Sequence, residues 1–280
     1  MYRYLVFLIF LIGCGSEEST LIDLPIADVE APLAEDLQFN PIETSPDTLI
    51  ESSRDTLVVT TENQTAGINA VIDFYGGTCK KSTGIQAEGN NKGRFFELEI
   101  YDSEHLATYL EVPEIPSATI AYLFFNALEE ELTSLDFIRA SIHFEGNKKS
   151  TSEYSIKDLK LIKHKLAIVD QLNERIAKKE YEAIRPMFSD EIYEFPKDEF
   201  IDNMEAIEEI SGKPTGYKLF SFQFYELAES ETAKVSDNAD NQRILHISYT
   251  LLRDKQSHEC SVEFIADENK DQIIQIKYRY

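Results

Sequence analysis

The sequence predicts an α+β fold: a small α+β domain over residues 56–156, then a domain over 157–280 with three helices followed by a four-stranded antiparallel sheet. Two observations predict it. Helical and strand spacings of apolar residues intermingle over residues 56–156, whereas beyond residue 156 they recur at helical spacing up to residue 212 and from residue 217 onward alternate with polar ones. With 42% hydrophobic and 28% charged residues, a 280-residue chain builds a core and has the length for two ordinary domains.

Before these domains the sequence is of another kind. Residues 1–13 read MYRYLVFLIFLIG, with Arg3 as their one charge, and Cys14 follows directly. The apolar run is well short of the roughly 20 residues a spanning helix needs, so it reads as the hydrophobic region of an export signal. Leu11-Ile12-Gly13-Cys14 resembles the lipobox of bacterial lipoproteins. That resemblance implies cleavage before Cys14, acylation of its thiol, and anchoring in the outer membrane. Residues 15–55 hold Pro25, Pro32, Pro41 and Pro46 and eleven acids against Arg54 alone, which reads as an extended acidic tether. Gly15-Ser16-Glu17-Glu18 resembles the acidic signal that sends some lipoproteins to the outer face of the outer membrane.

In the first domain, Ile68, Val71, Ile72 and Tyr75 make one face of a helix stopped by Gly76 and Gly77. Residues 78–93 read as a polar loop. Phe96, Leu98 and Ile100 alternate with Glu97 and Glu99 in a half-buried strand. Ser117 is the expected cap of a helix carrying Ile120, Ala121, Phe124, Phe125 and Leu128. Ile138, Ala140, Ile142 and Phe144 share a strand face, Glu145-Gly146-Asn147 turns the chain, and residues 151–155 return.

In the second, Ser155 caps a helix whose stripe is Leu159, Ile162, Leu166, Val169, Leu172 and Ile176. A short helix over 181–188 follows. Pro196 opens a third helix, with Phe200, Met204, Ile207 and Ile210, that ends at Gly212. Strands are expected over 217–227, 244–253, 258–266 and 272–280. A turn at Lys255-Gln256 sets Leu251 against Cys260, Tyr249 against Val262 and Ile247 against Phe264. This order, with the terminal QIIQIKYRY, resembles the NTF2-like fold. The resemblance implies a curved sheet wrapped around a helix, with a pocket used for apolar ligands, catalysis or dimerisation.

The chemistry follows from the face assignments. The inner face reads Phe220, Phe222, Phe224, Ile247, Tyr249, Leu251, Val262, Phe264, Ile274, Ile276 and Tyr278, with Tyr249 and Tyr278 as its hydrogen-bonding groups. Six of these, Phe220, Phe222, Phe224, Tyr249, Phe264 and Tyr278, would line a ligand pocket. His246, with Ser248 and Thr250, falls on the solvent face. His258 and Cys260 share a face but lack the further ligands of a zinc site. Asp237-Asn238-Ala239-Asp240-Asn241 reads as a polar hairpin tip, and Lys80-Lys81-Ser82 and Lys148-Lys149-Ser150 as solvated loops. Cys79 and Cys260 lie in a compartment that permits a disulfide, and their pairing is left open. No catalytic residue, metal or cofactor is assigned. A net charge of −24 excludes nucleic acid as a partner, because phosphates need a basic face. The expected role is a non-catalytic interaction or accessory module on the envelope, with an envelope protein as partner and self-pairing through the C-terminal sheet. Alternatives are a carrier of a small apolar ligand and an isomerase or hydrolase of the NTF2-like kind.

Overall fold

Helix α1 (Glu62–Tyr75) begins where the Thr61 side chain accepts a hydrogen bond from the Gln64 amide, and it stops at Gly76, whose φ of +72° suits a residue without Cβ. The computed structural model describes residues 61–87, 92–128, 134–190, 192, 195–227 and 242–279. The signal and lipobox with Cys14, the tether over 15–55, the tip at 237–241 and Tyr280 lie outside the described residues.

Residues 78–86, expected as loop, form strand β1 (Thr78–Gln86), antiparallel to β2 (Gly93–Tyr101). The sequence of β1 has no apolar alternation; its strand form comes from the ladder that the half-buried β2 offers. Opposite Phe95 stands Gly84, where any Cβ would collide with the ring. Lys80 and Lys81 on this edge discourage pairing with a further strand.

After the single turn α2 (Glu104–Ala107), helix α3 (Glu114–Leu128) starts three residues before Ser117, which was expected to cap it. Pro116 sits in the first turn, where a missing amide costs no intrahelical bond, and the Ser117 hydroxyl donates to the Pro113 carbonyl at 2.7 Å. Helix α3 connects β2 to the parallel strand β3 (Phe137–His143), and β4 (Lys149–Ser155) closes the first sheet in the order β1-β2-β3-β4. The two lysine runs are therefore parts of edge strands. Lys149 donates to Glu99 at 2.8 Å, and this bond, working against burial, raises its pKa.

Helix α4 (Ile156–Ala177) is capped by Ser155, which accepts from the Asp158 amide at 3.0 Å. Short α5 (Tyr181–Ile184) and a 3-10 turn precede α6 (Lys197–Ser211), with Pro196 as its cap and Gly212 at its end. Then come β5 (Pro214–Glu226), β6 (Arg243–Arg253), β7 (His258–Ile265) and β8 (Ile273–Arg279), an antiparallel sheet in sequence order. The architecture is α+β with two four-stranded sheets.

The described residues all belong to one compact unit. The boundary drawn between 156 and 157 falls in the first turn of α4. Leu98, Ile100, Phe124 and Ile142 from before it and Leu166, Leu172, Tyr249 and Phe264 from after it belong to one hydrophobic cluster.

Two register details set the chemistry of the second sheet. Across β6 and β7, Leu251 pairs with His258, Tyr249 with Cys260 and Ile247 with Val262, two positions from the expected register. The turn centres on Asp254 and Lys255 because α6 holds it. Asp254 accepts from the Lys213 amide at 2.9 Å, the amides of Lys255 and Gln256 donate to the Ser211 carbonyl, and Arg253 donates to the Gly212 carbonyl at 2.6 Å. A shift of two keeps every side chain on its face. In β5 a bulge at Leu219–Ser221 inserts one residue, and it does change faces.

Candidate functional site

The inner face of the second sheet is core. Tyr249 and Phe264 are 1% and 0% exposed, Phe222 is buried, and Phe224 and Tyr278 pack against the same cluster. Phe220 leaves that set: the bulge turns it to the outer face, where it is 41% exposed and Leu219 takes its inner place opposite Tyr249. Five of the six pocket candidates thus pack as core, and the sixth lies across the sheet from them. Tyr249, Cys260 and Tyr278 stand in one cross-strand row. Burial first, and Tyr278 second, push the Tyr249 hydroxyl far above its ordinary pKa.

The inner face also holds groups that sequence reasoning left off it. His258 and Arg253, 4% and 6% exposed, lie at the hairpin end of the face. Desolvation, then the Arg253 charge, lowers the His258 pKa. Cys79 and Cys260 are free thiols, and burial raises both, to about 11 and about 12. Among the described residues no cluster of three His, Cys, Asp or Glu stands ready to hold a metal, and no helix is long and apolar enough to cross a membrane.

The outer face carries the arrangement with chemical content. Alternation on β6, β7 and β8 produces three polar rows: His246, Glu263 and Gln275; Ser248, Ser261 and Lys277; Thr250, Glu259 and Arg279. His246 and the second and third rows floor a depression of ≈ 150 Å³ walled on the β5 side by Phe220. His246 Nδ1 lies 3.1 Å from Glu263 Oε1, beside the depression, and His246 Nε2 lies 3.0 Å from Ser248 Oγ. A carboxylate only accepts, so Nδ1 donates to Glu263, and in the neutral imidazole Nε2 is then the acceptor for the Ser248 hydroxyl. Glu263 is 7% exposed, and its second oxygen has no hydrogen-bond partner. On the same side of the sheet Ile192, Leu227, Ile244, Ile265 and Ile274 form a small apolar cluster, and Ile265 is two residues on from Glu263 along β7.

Lys277 and Arg279 complete the site. Both are exposed and neither forms an ion pair among the described residues, although Glu259 is the register partner of Arg279. Two other histidines are structurally engaged: His143 stacks on Tyr101 at 4.0 Å and meets Glu99, and His164 meets Asp271 at 2.7 Å.

His246 was placed on the solvent-side face from its alternation alone, and it is there, half-buried. Glu263, Ser261, Lys277 and Arg279 were not recognised as its neighbours. Their signal is the polar set of each strand, and reading it across strands requires the register. Comparison of the chain with protein-family models, with curated proteins and with solved structures returned no match.

Proposed function

We propose that this protein is an exported lipoprotein, held at the outer membrane by an acyl chain on Cys14, that acts there as a binding or accessory module through the groove on its C-terminal sheet. The anchoring reading rests on the apolar run over residues 5–12 followed by Leu11-Ile12-Gly13-Cys14. The three helices preceding the β5–β8 meander support an NTF2-like assignment for the C-terminal half.

The observation that carries the binding reading is the pair Lys277 and Arg279 beside the groove. Among the described residues neither forms an ion pair, so two exposed cations at the rim of a depression are open to a small anionic ligand. The groove's hydroxyls (Ser248, Thr250 and Ser261) supply further hydrogen bonds. Carriage of an apolar molecule inside the cone is less favoured, because Phe222, Tyr249 and Phe264 already pack there.

Two experiments test the two parts. Cys14→Ser should move the protein from the membrane fraction to the soluble fraction; retention in the membrane would refute acylation there. For the groove, inorganic phosphate titrated into isotope-labelled full-length protein should shift the amide resonances of Ser248, Thr250, Lys277 and Arg279. Lys277→Ala with Arg279→Ala should remove the response. Shifts confined to other surfaces, or none, would refute the groove.

A further inference from the structure

We propose that Ser248 is a nucleophile for acyl transfer, with His246 as its general base and Glu263 as the positioning residue behind the imidazole, acting on a small ester that carries a negative charge. The proposal deepens the groove reading and rests on it, since the ester must first be held there.

The geometry is a relay of three side chains joined through the two imidazole nitrogens. Glu263 stands opposite His246 across β6 and β7, and Ser248 follows His246 two residues along the same strand. The two contacts of 3.1 Å and 3.0 Å are within hydrogen-bond reach, and each uses a different imidazole nitrogen. A serine, a histidine and a carboxylate in this order act by geometry, whatever the fold that presents them. A burial argument adds to the distances. Glu263 is a carboxylate 7% exposed with one oxygen unbonded, and a positive imidazolium is the partner that would best offset its burial. That imidazolium is the species formed when His246 takes the Ser248 proton.

The remaining groups fit the same step. Ser248, Ser261 and Lys277 form one cross-strand row. Strands lie about 4.8 Å apart, so the backbone of Lys277 is roughly 10 Å from that of Ser248, a gap that a lysine side chain is long enough to bridge across Ser261. A carbonyl oxygen that becomes negative above Ser248 then meets the Ser261 hydroxyl and the Lys277 ammonium. Arg279, one row on, receives the charge of the substrate. The depression of ≈ 150 Å³ admits a short acyl group.

The chemistry balances with water as the second reactant. Ser248 Oγ bonds to the ester carbonyl carbon while its proton passes to His246 Nε2. The carbon–oxygen bond to the alcohol then breaks, and the alcohol leaves with that proton. Water attacks the acyl-serine and gives a proton to His246. The serine–acyl bond breaks, the carboxylic acid departs, and His246 returns the proton to Ser248. One ester and one water become one acid and one alcohol.

The test is labelling of the full-length protein, purified in detergent, with a fluorophosphonate probe followed by peptide mass mapping. One adduct per chain is expected, on Ser248. Ser248→Ala should abolish it, His246→Gln should slow it by at least ~100-fold, and Thr83→Ala, on the exposed edge of the first sheet, should leave the rate within about twofold. Glu263→Gln should slow labelling and also shift the pH at which the rate rises, a change that loss of packing would not produce. Absence of an adduct, an adduct elsewhere, or Ser248→Ala labelling at the wild-type rate would overturn the proposal. Phosphate titration of the Ser248→Ala protein separates the two claims. With the groove response intact and no adduct on the wild type, the nucleophile alone fails; with no response in either protein, the groove reading fails first.

Discussion

His258 illustrates how much one residue's surroundings decide. Its position in the chain marks it as the first residue of a strand after a polar turn, yet it is buried on the inner face with Cys260. Desolvation and the nearby Arg253 charge hold its pKa below the ordinary value, so the folded state resists its protonation while the unfolded state does not. Below about pH 6.5 the unfolded chain therefore binds more protons at this site, and stability falls with falling pH until the folded pKa is passed. His258→Gln should lose less of its urea midpoint than the wild type between pH 7.5 and pH 5.5. An equal loss in both proteins would show that His258 does not contribute to acid sensitivity. His246, the other imidazole of this hairpin, is half-buried on the opposite face and is held between an acceptor and a hydroxyl.

Elements are stitched together at their ends, and the strongest example is the junction of α6 with the β6–β7 turn. Gly212 ends the helix at φ +78°, and any Cβ there would run into the Asp254 carboxylate. Asp254 in turn accepts from Lys213, and Arg253 donates to Gly212 itself. Gly212→Ala should cost about 2–4 kcal/mol, through left-handed strain together with loss of the Asp254 contacts, and lower the melting temperature accordingly. A change of under half a kcal/mol would mean that the turn is not held this way. The same junction explains the register. Alternation in β6 and β7 assigned faces correctly, but a slip of two residues keeps all faces and is invisible to an alternation argument. The turn position expected from Lys255-Gln256 sets His246 opposite Ile265; the junction sets it opposite Glu263. One displaced turn therefore hid the carboxylate partner. The bulge in β5 had the complementary effect: it moved Phe220 across the sheet, since one extra residue reverses alternation.

At the scale of the molecule, the two sheets share a core through α3 and α4. Helix α3 is buried almost all round, with Ile120, Ala121, Phe124 and Leu128 at 0% exposure, and the stripe of α4 enters the same cluster. Thr119 on α3 donates to the Phe220 carbonyl of β5 at 2.7 Å, tying the first half to the second sheet. Phe264→Ala, far from the first sheet in the chain, should cost about 3–5 kcal/mol. It should also reduce hydrogen-exchange protection in β2–β3 and β6–β7 together. Separate loss in the second sheet alone, or two melting transitions, would indicate independently folding halves.

By itself the sequence determined what depends on local pattern. The stripes of α1 and α4, the Ser155 cap, the Gly76 and Gly212 stops, and the faces of β2, β3, β6 and β7 follow from spacing and from the chemistry of single residues. These are contacts with near neighbours in the chain, so the pattern is written there. In β8, by contrast, an irregularity opposite it at Glu263/Phe264 sets Ile273 on the inner face and Ile274 in the outer cluster. Only the tertiary structure decided that TCKKSTGIQ is a strand, that the turn after Arg253 is drawn to α6, and that Phe220 faces outward. It also decided that Glu263, His246 and Ser248 meet. Each of these depends on hydrogen bonds between segments distant in sequence, and a strand's register is set by such bonds, which the residues' own alternation leaves free by steps of two.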